Sequence, residues 1–292
     1  MIGIFDSGLG GLTVLKEIKR VLPEYDYMYL GDTLHVPYGN RSDEAVYDLT
    51  RKACDYLFDN GLKLIILACN TATSKALRRL QTEHLPARQA RRARLARQVK
   101  ENILGVVRPM AEEVNRIGKD PVGVIGTRGT VNSNVYMVEL KEQGAKIKEQ
   151  SKSKDQSLKT KEETGIVQRA CPLLVPMIEE GWDRRKEIKS VLRYYLRPLK
   201  QAKVKVLILG CTHYPLLIKQ IKSIMGPSCF VPNPGEIVAK SLAEYLKRHA
   251  ELEKGLTKNS QTRYLVTDLN DNFKKQAERF IEEKINIERV KY

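Results

Sequence analysis

Residues 63–74 read KLIILACNTATS, an apolar run that breaks at a cysteine into short hydrogen-bonding side chains. A continuous apolar run of this length is what a strand buried on both faces of a parallel sheet requires. A near copy stands at 204–216, VKVLILGCTHYPL. Two further stretches match in the same way, IGIFDSGLGGLTV at 2–14 and VGVIGTRGTV at 122–131. Each has strand signals, then a turn, then helical spacing. The pairing reads as a weak internal repeat, two similar α/β units that each end one strand in a cysteine.

The surrounding sequence fits that plan. A second strand is expected at 27–30, stopping at Gly31 and Asp32. Residues 42–60 read as a helix with Ser42 as N-cap and Gly61 just past the end. The predicted architecture is α/β, with two similar doubly wound parallel-sheet domains and the active site between them. The first domain is expected over 1–103 and 213–292, the second over 104–212. Two segments fit poorly. Residues 86–100 (PARQARRARLARQVK) are rich in Arg and Ala and predict an exposed helix. Residues 150–164 (QSKSKDQSLKTKEET) are nearly all polar and predict a flexible loop.

Composition sets the outer limits. At 292 residues the chain is long enough for two α/β cores. With 42% apolar and 29% charged residues it reads as an ordinary globular protein. It has no apolar run of roughly 18 residues to span a membrane. MIGIFDSG reads as a first strand and not as a signal peptide, so the cytoplasm is the expected compartment. There the cysteines at 54, 69, 171, 211 and 229, which form no C-x-x-C pair, are expected to be reduced. Cys54, Cys171 and Cys229 read as packing residues. His35, His84 and His249 show no ligand spacing, so no metal is expected.

The formal charge is +16, with +6 between Arg88 and Lys100 and +4 between Lys141 and Lys161, which leaves +6 elsewhere. Arg88–Lys100 (residues 88–100) is therefore the candidate contact for an anionic partner such as nucleic acid. No aromatic residue interleaves it, which argues against base stacking, and charge runs are ordinarily solvated faces.

Cys69 and Cys211 carry the chemical argument. Each follows an apolar strand and begins a turn, where parallel α/β folds bind ligands. Helix-starting N–H groups there can stabilise a thiolate. A lone buried cysteine is ordinarily a small packing residue; two at equivalent places of two matched halves are not. Two acid/base groups facing one carbon from opposite sides are what inverting that carbon by proton transfer requires. Asp6 and Ser7 open the first turn, with Gly8, Gly10 and Gly11 permitting close approach of the backbone and a helix N-terminus able to hold an anion. Helix capping by Asp6 or Ser7 is the alternative. Asn70, Thr71, Thr73 and Ser74 follow the first cysteine; Thr212 and His213 follow the second. Short polar side chains of this kind suit recognition of a carboxylate and an ammonium.

Taken together, IGIFDSGLGGLTVL, YLGDTLHVPYG, ACNTATS, VIGTRGTVNSN, ACPLLVPMIEEGW and LGCTHYPLL resemble the glutamate racemase family of the aspartate/glutamate racemase superfamily. The resemblance runs from residue 1 to about 217. It implies that Cys69 and Cys211 are the catalytic acid/bases, with Asp6 assisting Cys69, and with His213 and Glu179 (or its neighbour Glu180) assisting Cys211. Substrate contacts would fall on Asp6, Ser7, Tyr38, Gly39, Asn70, Thr71, Thr212 and His213, with Thr127 and Thr130 as further candidates. It also implies glutamate as substrate, no pyridoxal phosphate or metal, a homodimer, and supply of D-glutamate for peptidoglycan. An aspartate or broad-specificity racemase, and a basic nucleic-acid-associated protein, are the alternatives. Three features depart from the pattern. Arg108 stands where the family has a glutamate, and 86–100 and 150–164 read as insertions.

Overall fold

A computed structural model describes residues 1–94, 101–150 and 165–292. Its strands are β1 (Ile2–Asp6), β2 (Tyr27–Gly31), β3 (Leu64–Leu67), β4 (Asn102–Gly105), β5 (Val122–Gly126), β6 (Ile166–Ala170), β7 (Val206–Gly210), β8 (Thr262–Val266) and β9 (Ile287–Arg289). They form one sheet of order β4-β3-β1-β2-β8-β9 and a second of order β6-β5-β7. Every pairing within both sheets is parallel. β1, β2, β3, β5 and β7 are buried along their whole length, as continuous apolar runs demand.

The helices of the first part are α1 (Gly11–Val21), α2 (Asp43–Asp59), α3 (Asn70–Arg79) and α4 (Leu85–Arg94). Those that follow are α5 (Val107–Ile117), α6 (Arg128–Asn132), α7 (Val135–Gln150), α8 (Leu174–Glu179), α9 (Glu187–Gln201) and α10 (Ile218–Met225). The chain closes with α11 (Pro234–Arg248), α12 (Ala250–Glu253) and α13 (Asp271–Ile281). α2 starts where the sequence predicts: the Ser42 hydroxyl accepts from Ala45 N, and Gly61 follows at φ +86°.

The repeat has a structural counterpart. β1 lies beside β3 with Ile2 opposite Leu64, and β5 lies beside β7 with Val122 opposite Val206. Extending those registers puts Ser7 opposite Cys69 and Thr127 opposite Cys211. Both cysteines thus leave the carboxyl ends of strands adjacent to the one that opens each sheet. No helix among the described residues is long and apolar enough to cross a membrane.

The first basic segment is a helix over its described residues, as expected, while Arg88 and the start of the second segment depart from expectation. Over 85–94 the first is the helix α4, joined to α3 by a π-helical turn (Leu80–His84). Arg88 is not on a solvated face. It is 14% exposed and pairs with Asp55 at 2.9 Å, Asp59 at 2.6 Å and Glu101 at 3.0 Å. Its guanidinium also lies 5.4 Å from the Phe58 ring. The reason is local: α2 presents two carboxylates on the face against which α4 packs. Gln150 ends α7 in helical conformation, so the predicted loop does not begin there; 95–100 and 151–164 lie outside the described residues.

Candidate active site

Cys69 is the N-cap of α3. Its Sγ accepts from Ala72 N at 3.4 Å and lies 3.4 Å from Ser7 Oγ. Those two contacts favour a thiolate, but the residue is only 6% exposed. Burial and then the nearby Asp6 charge win, and the thiol is pushed up to about 12. The helix-starting N–H of Ala72 favours a thiolate at Cys69, as expected, but desolvation outweighs it.

Cys211 is 5% exposed and has different company. Its Sγ lies 3.8 Å from His213 Nδ1, and His213 Nε2 lies 3.0 Å from Glu179 Oε1. Burial works to lower the imidazole, but hydrogen bonds and charge from Cys211 and Glu179 outweigh it and raise His213 to about 10. The ring is braced edge-on against Phe280, with centroids 5.7 Å apart. The partner of His213 is Glu179; Glu180 follows as the C-cap of α8.

Asp6 stitches the two turns together. It is fully buried, accepting from Gly8 N at 3.0 Å and from Thr212 Oγ1 at 3.4 Å. Burial raises its carboxyl, against the opposing pull of His213 and of backbone N–H groups. Neither Asp6 nor Ser7 caps α1, which begins at Gly11 with no side-chain cap. Gly10 and Gly11 permit the close approach expected of them. A Cβ on Gly10 would sit 2.1 Å from Thr212 Oγ1 and 2.5 Å from His213 Nδ1, and one on Gly11 would sit 2.5 Å from Asp6 Cβ. Their lack of side chains lets the Asp6 turn close on the Cys211 turn.

The hydroxyl cluster joins both sheets. Thr71 Oγ1 lies 2.9 Å from Thr127 Oγ1 and 3.4 Å from Thr130 Oγ1, and Thr127 is the N-cap of α6. Gly39 fits against this cluster, since a Cβ there would meet Thr127 Cβ at 2.9 Å. The buried Tyr38 turns its hydroxyl to Asp32 Oδ2, at 2.6 Å, so Gly39 is the member of that pair that packs on the threonines. Asn70 Oδ1 accepts from the Tyr136 hydroxyl at 2.6 Å, a bridge from α7 that the sequence did not single out.

Thr73 and Ser74 part company with their neighbours. Their hydroxyls return to the carbonyls of Leu67 and Thr71, both at 2.9 Å. Both line a cavity of about 1030 Å³ that none of the cysteine-turn residues touches. Arg108 lines the same cavity and pairs with Glu112 at 2.9 Å, so it stands apart from the cysteines. Among the described residues no group of three His, Cys, Asp or Glu side chains is placed to hold a metal ion.

The Asp/Glu/hydantoin racemase family matches residues 14–234. The chain is 38% identical to the glutamate racemase of Geobacter metallireducens over 96% of its own length and 92% of the relative's. It is 38% identical to the glutamate racemase of Aquifex aeolicus, over 89% of each chain. Among solved structures it is similar to the Francisella tularensis glutamate racemase in complex with D-glutamate. That match has a TM-score of 0.80 at 29% identity and covers 99% of this chain and 97% of the other.

Proposed function

This chain belongs to the Asp/Glu/hydantoin racemase family and is a racemase of that kind; we propose that it inverts the α-carbon of glutamate, interconverting the L and D forms. The observation that carries the reading is the pairing of Cys69 and Cys211 at the ends of matched parallel strands, both tied to the turn after β1, Cys69 through Ser7 and the Cys211 turn through Thr212 and Asp6. Similarity to glutamate racemases along nearly the whole chain supports glutamate over aspartate.

In this reading the substrate lies between the two cysteines. One sulfur, as thiolate, takes the α-proton, and the C–H electron pair spreads into the α-carboxylate. The opposite thiol delivers its proton to the other face, so each turnover exchanges the protonation of the two sulfurs. Donors around the carboxylate, among them Ser7, Asn70, Thr71, Thr127, Thr130 and Thr212, stabilise the enediolate-like charge. Asp6 holds the Cys69 and Cys211 turns in register, and Glu179 keeps His213 charged beside Cys211. No cofactor takes part. The division into 1–103 with 213–292 and 104–212 assigns one cysteine to each domain; the two separate sheets support two domains, although β4 (102–105) lies whole in the first sheet and so moves the first boundary past Gly105. The reading extends to a cytoplasmic homodimer that supplies D-glutamate for peptidoglycan.

Incubation with L-glutamate in D2O without added cofactor tests it. The Cα–H signal is expected to disappear while optical rotation decays to zero, with L-aspartate much slower. Folded protein that leaves the L-glutamate α-proton in place would overturn the reading.

A further inference from the structure

Helix α9 carries a charge pattern that racemisation does not use. Residues 184–205 hold nine Lys and Arg and one acid, Glu187. This third basic stretch, at +8, accounts for more than the +6 that the first two leave over. Lys189, Arg193, Arg197 and Lys200 are spaced four, four and three apart, so they share one helix face about 17 Å long, and all four are exposed. Among the described residues no carboxylate lies within ion-pair distance of any of them. Among the described residues the only hydrogen bond that engages one of these charged groups runs from Lys200 Nζ to the Ile224 carbonyl. Arg88, by contrast, is consumed by three carboxylates.

The surface is shaped as well as charged. Arg193, Arg197, Lys200 and Gln201 line one wall of a cleft of about 540 Å³, with Ser223 and Ile224 of α10 on the other. Outside the cleft, next to Arg193 in sequence but round the helix toward β6, Tyr194 is 64% exposed, its ring edge-on to Tyr195 at 5.2 Å, with the Arg169 guanidinium 5.4 Å away. The aromatic residue missing from 88–100 is present here. A single compact anion would engage one or two members of so long a row. An extended chain of phosphates engages all of it, and a flanking tyrosine offers a stacking platform for a base. We propose that the α9–α10 surface binds a single-stranded nucleic acid, with Lys189, Arg193, Arg197 and Lys200 on its phosphates and Tyr194 against a base.

The probe is a fluorescein-labelled 20-nucleotide single strand of mixed sequence, titrated with the full chain by anisotropy at rising potassium chloride. Four phosphate contacts predict a log K against log salt slope of about −3. R193E/R197E is expected to abolish binding and to keep full racemase activity, which shows that it is folded. Y194A is expected to weaken binding about tenfold while leaving the slope unchanged. R91Q/R92Q/R94Q/R97Q is expected to bind like the parent. The proposal is overturned by absence of binding at low salt, by parental affinity in R193E/R197E, or by loss of binding only in the 91–97 variant. Tighter binding to phosphatidylglycerol vesicles than to the strand would equally overturn it, making the surface a lipid contact.

Discussion

The two cysteine turns share one strand-end geometry and differ in electrostatics. Around Cys69 the neighbours are a hydroxyl, a helix N-terminal N–H and the Asp6 carboxyl, and burial holds the thiol at about 12. Around Cys211 a histidine raised to about 10 stands 3.8 Å away, backed by Glu179. Symmetric placement with asymmetric company lets one sulfur begin as acid while the other has a cation at hand. Pseudo-symmetry of the fold places the groups, and their non-equivalent neighbours assign the first roles.

The sharpest way to break the comparison is to remove each sulfur separately. C69A and C211A should each lose racemisation by about 10²–10⁴-fold, the usual worth of a positioned acid/base. Each should still wash deuterium into the one enantiomer whose α-proton faces the surviving sulfur. C69A, which keeps the histidine-backed thiol, should exchange faster than C211A. Equal exchange of both enantiomers by either variant, read by NMR in D2O, would remove the two-face assignment.

Gly10 tests whether the turns must interlock. A methyl there meets Thr212 and His213 well inside contact distance, so the turns must part. G10A should lose about a hundredfold in kcat, the cost of roughly 1 Å of misplacement, while circular dichroism stays native. G61A is the contrast: its φ is +86° with open space around it, so it should cost about 1 kcal/mol in urea unfolding and nothing in rate.

How much of this was legible depended on the kind of signal. KLIILA and VLILG announce doubly buried strands because a parallel sheet buries both faces, and a cysteine after each marks the same strand end. Periodicity cannot see what one element does to another. Asn70, Thr71, Thr73 and Ser74 read alike in sequence, yet a helix turns the first two toward Tyr136 and the Thr127–Thr130 cluster and the last two toward the separate cavity. Arg88 reads like its neighbours until α2 brings Asp55 and Asp59 beneath it. Tyr136 gives no sequence signal, because its partner Asn70 lies 66 residues away. The charge on α9 was visible but diluted, since its basic residues alternate with buried Leu and Tyr.

Smaller effects should follow from loosening the support of the Cys211 side alone. Arg279 holds α8 by bonding Asp183 Oδ1 and the Ile178 carbonyl, both at 2.8 Å, on either side of Glu179. R279A should cost about tenfold in kcat, and E179Q a similar factor, the low end of what acid/base positioning supplies. In both, the His213 titration followed by NMR should move down from about 10 toward the ordinary imidazole range. An unmoved titration in R279A would make Arg279 a packing residue only.

The smallest effect separates the two sides by pH. His213 has a raised folded pKa, so its contribution to stability is complete below about 6.5 and is lost as pH rises toward about 10. Cys69 is also raised, from 9 to about 12, so folding retains its proton where the unfolded chain releases it; stability falls with rising pH in that case too, but only above 9. One proton sets a limit of about 1.4 kcal/mol per pH unit for each slope. Urea midpoints from pH 6 to 10 should therefore fall in the parent, flatten between 6.5 and 9 in H213N, and in C69A fall as in the parent up to pH 9 and less steeply than the parent from 9 to 10. If C69A flattened the lower window instead, the charge in the site would belong to the Cys69 side, and the order of roles drawn from the two environments would have to be reversed.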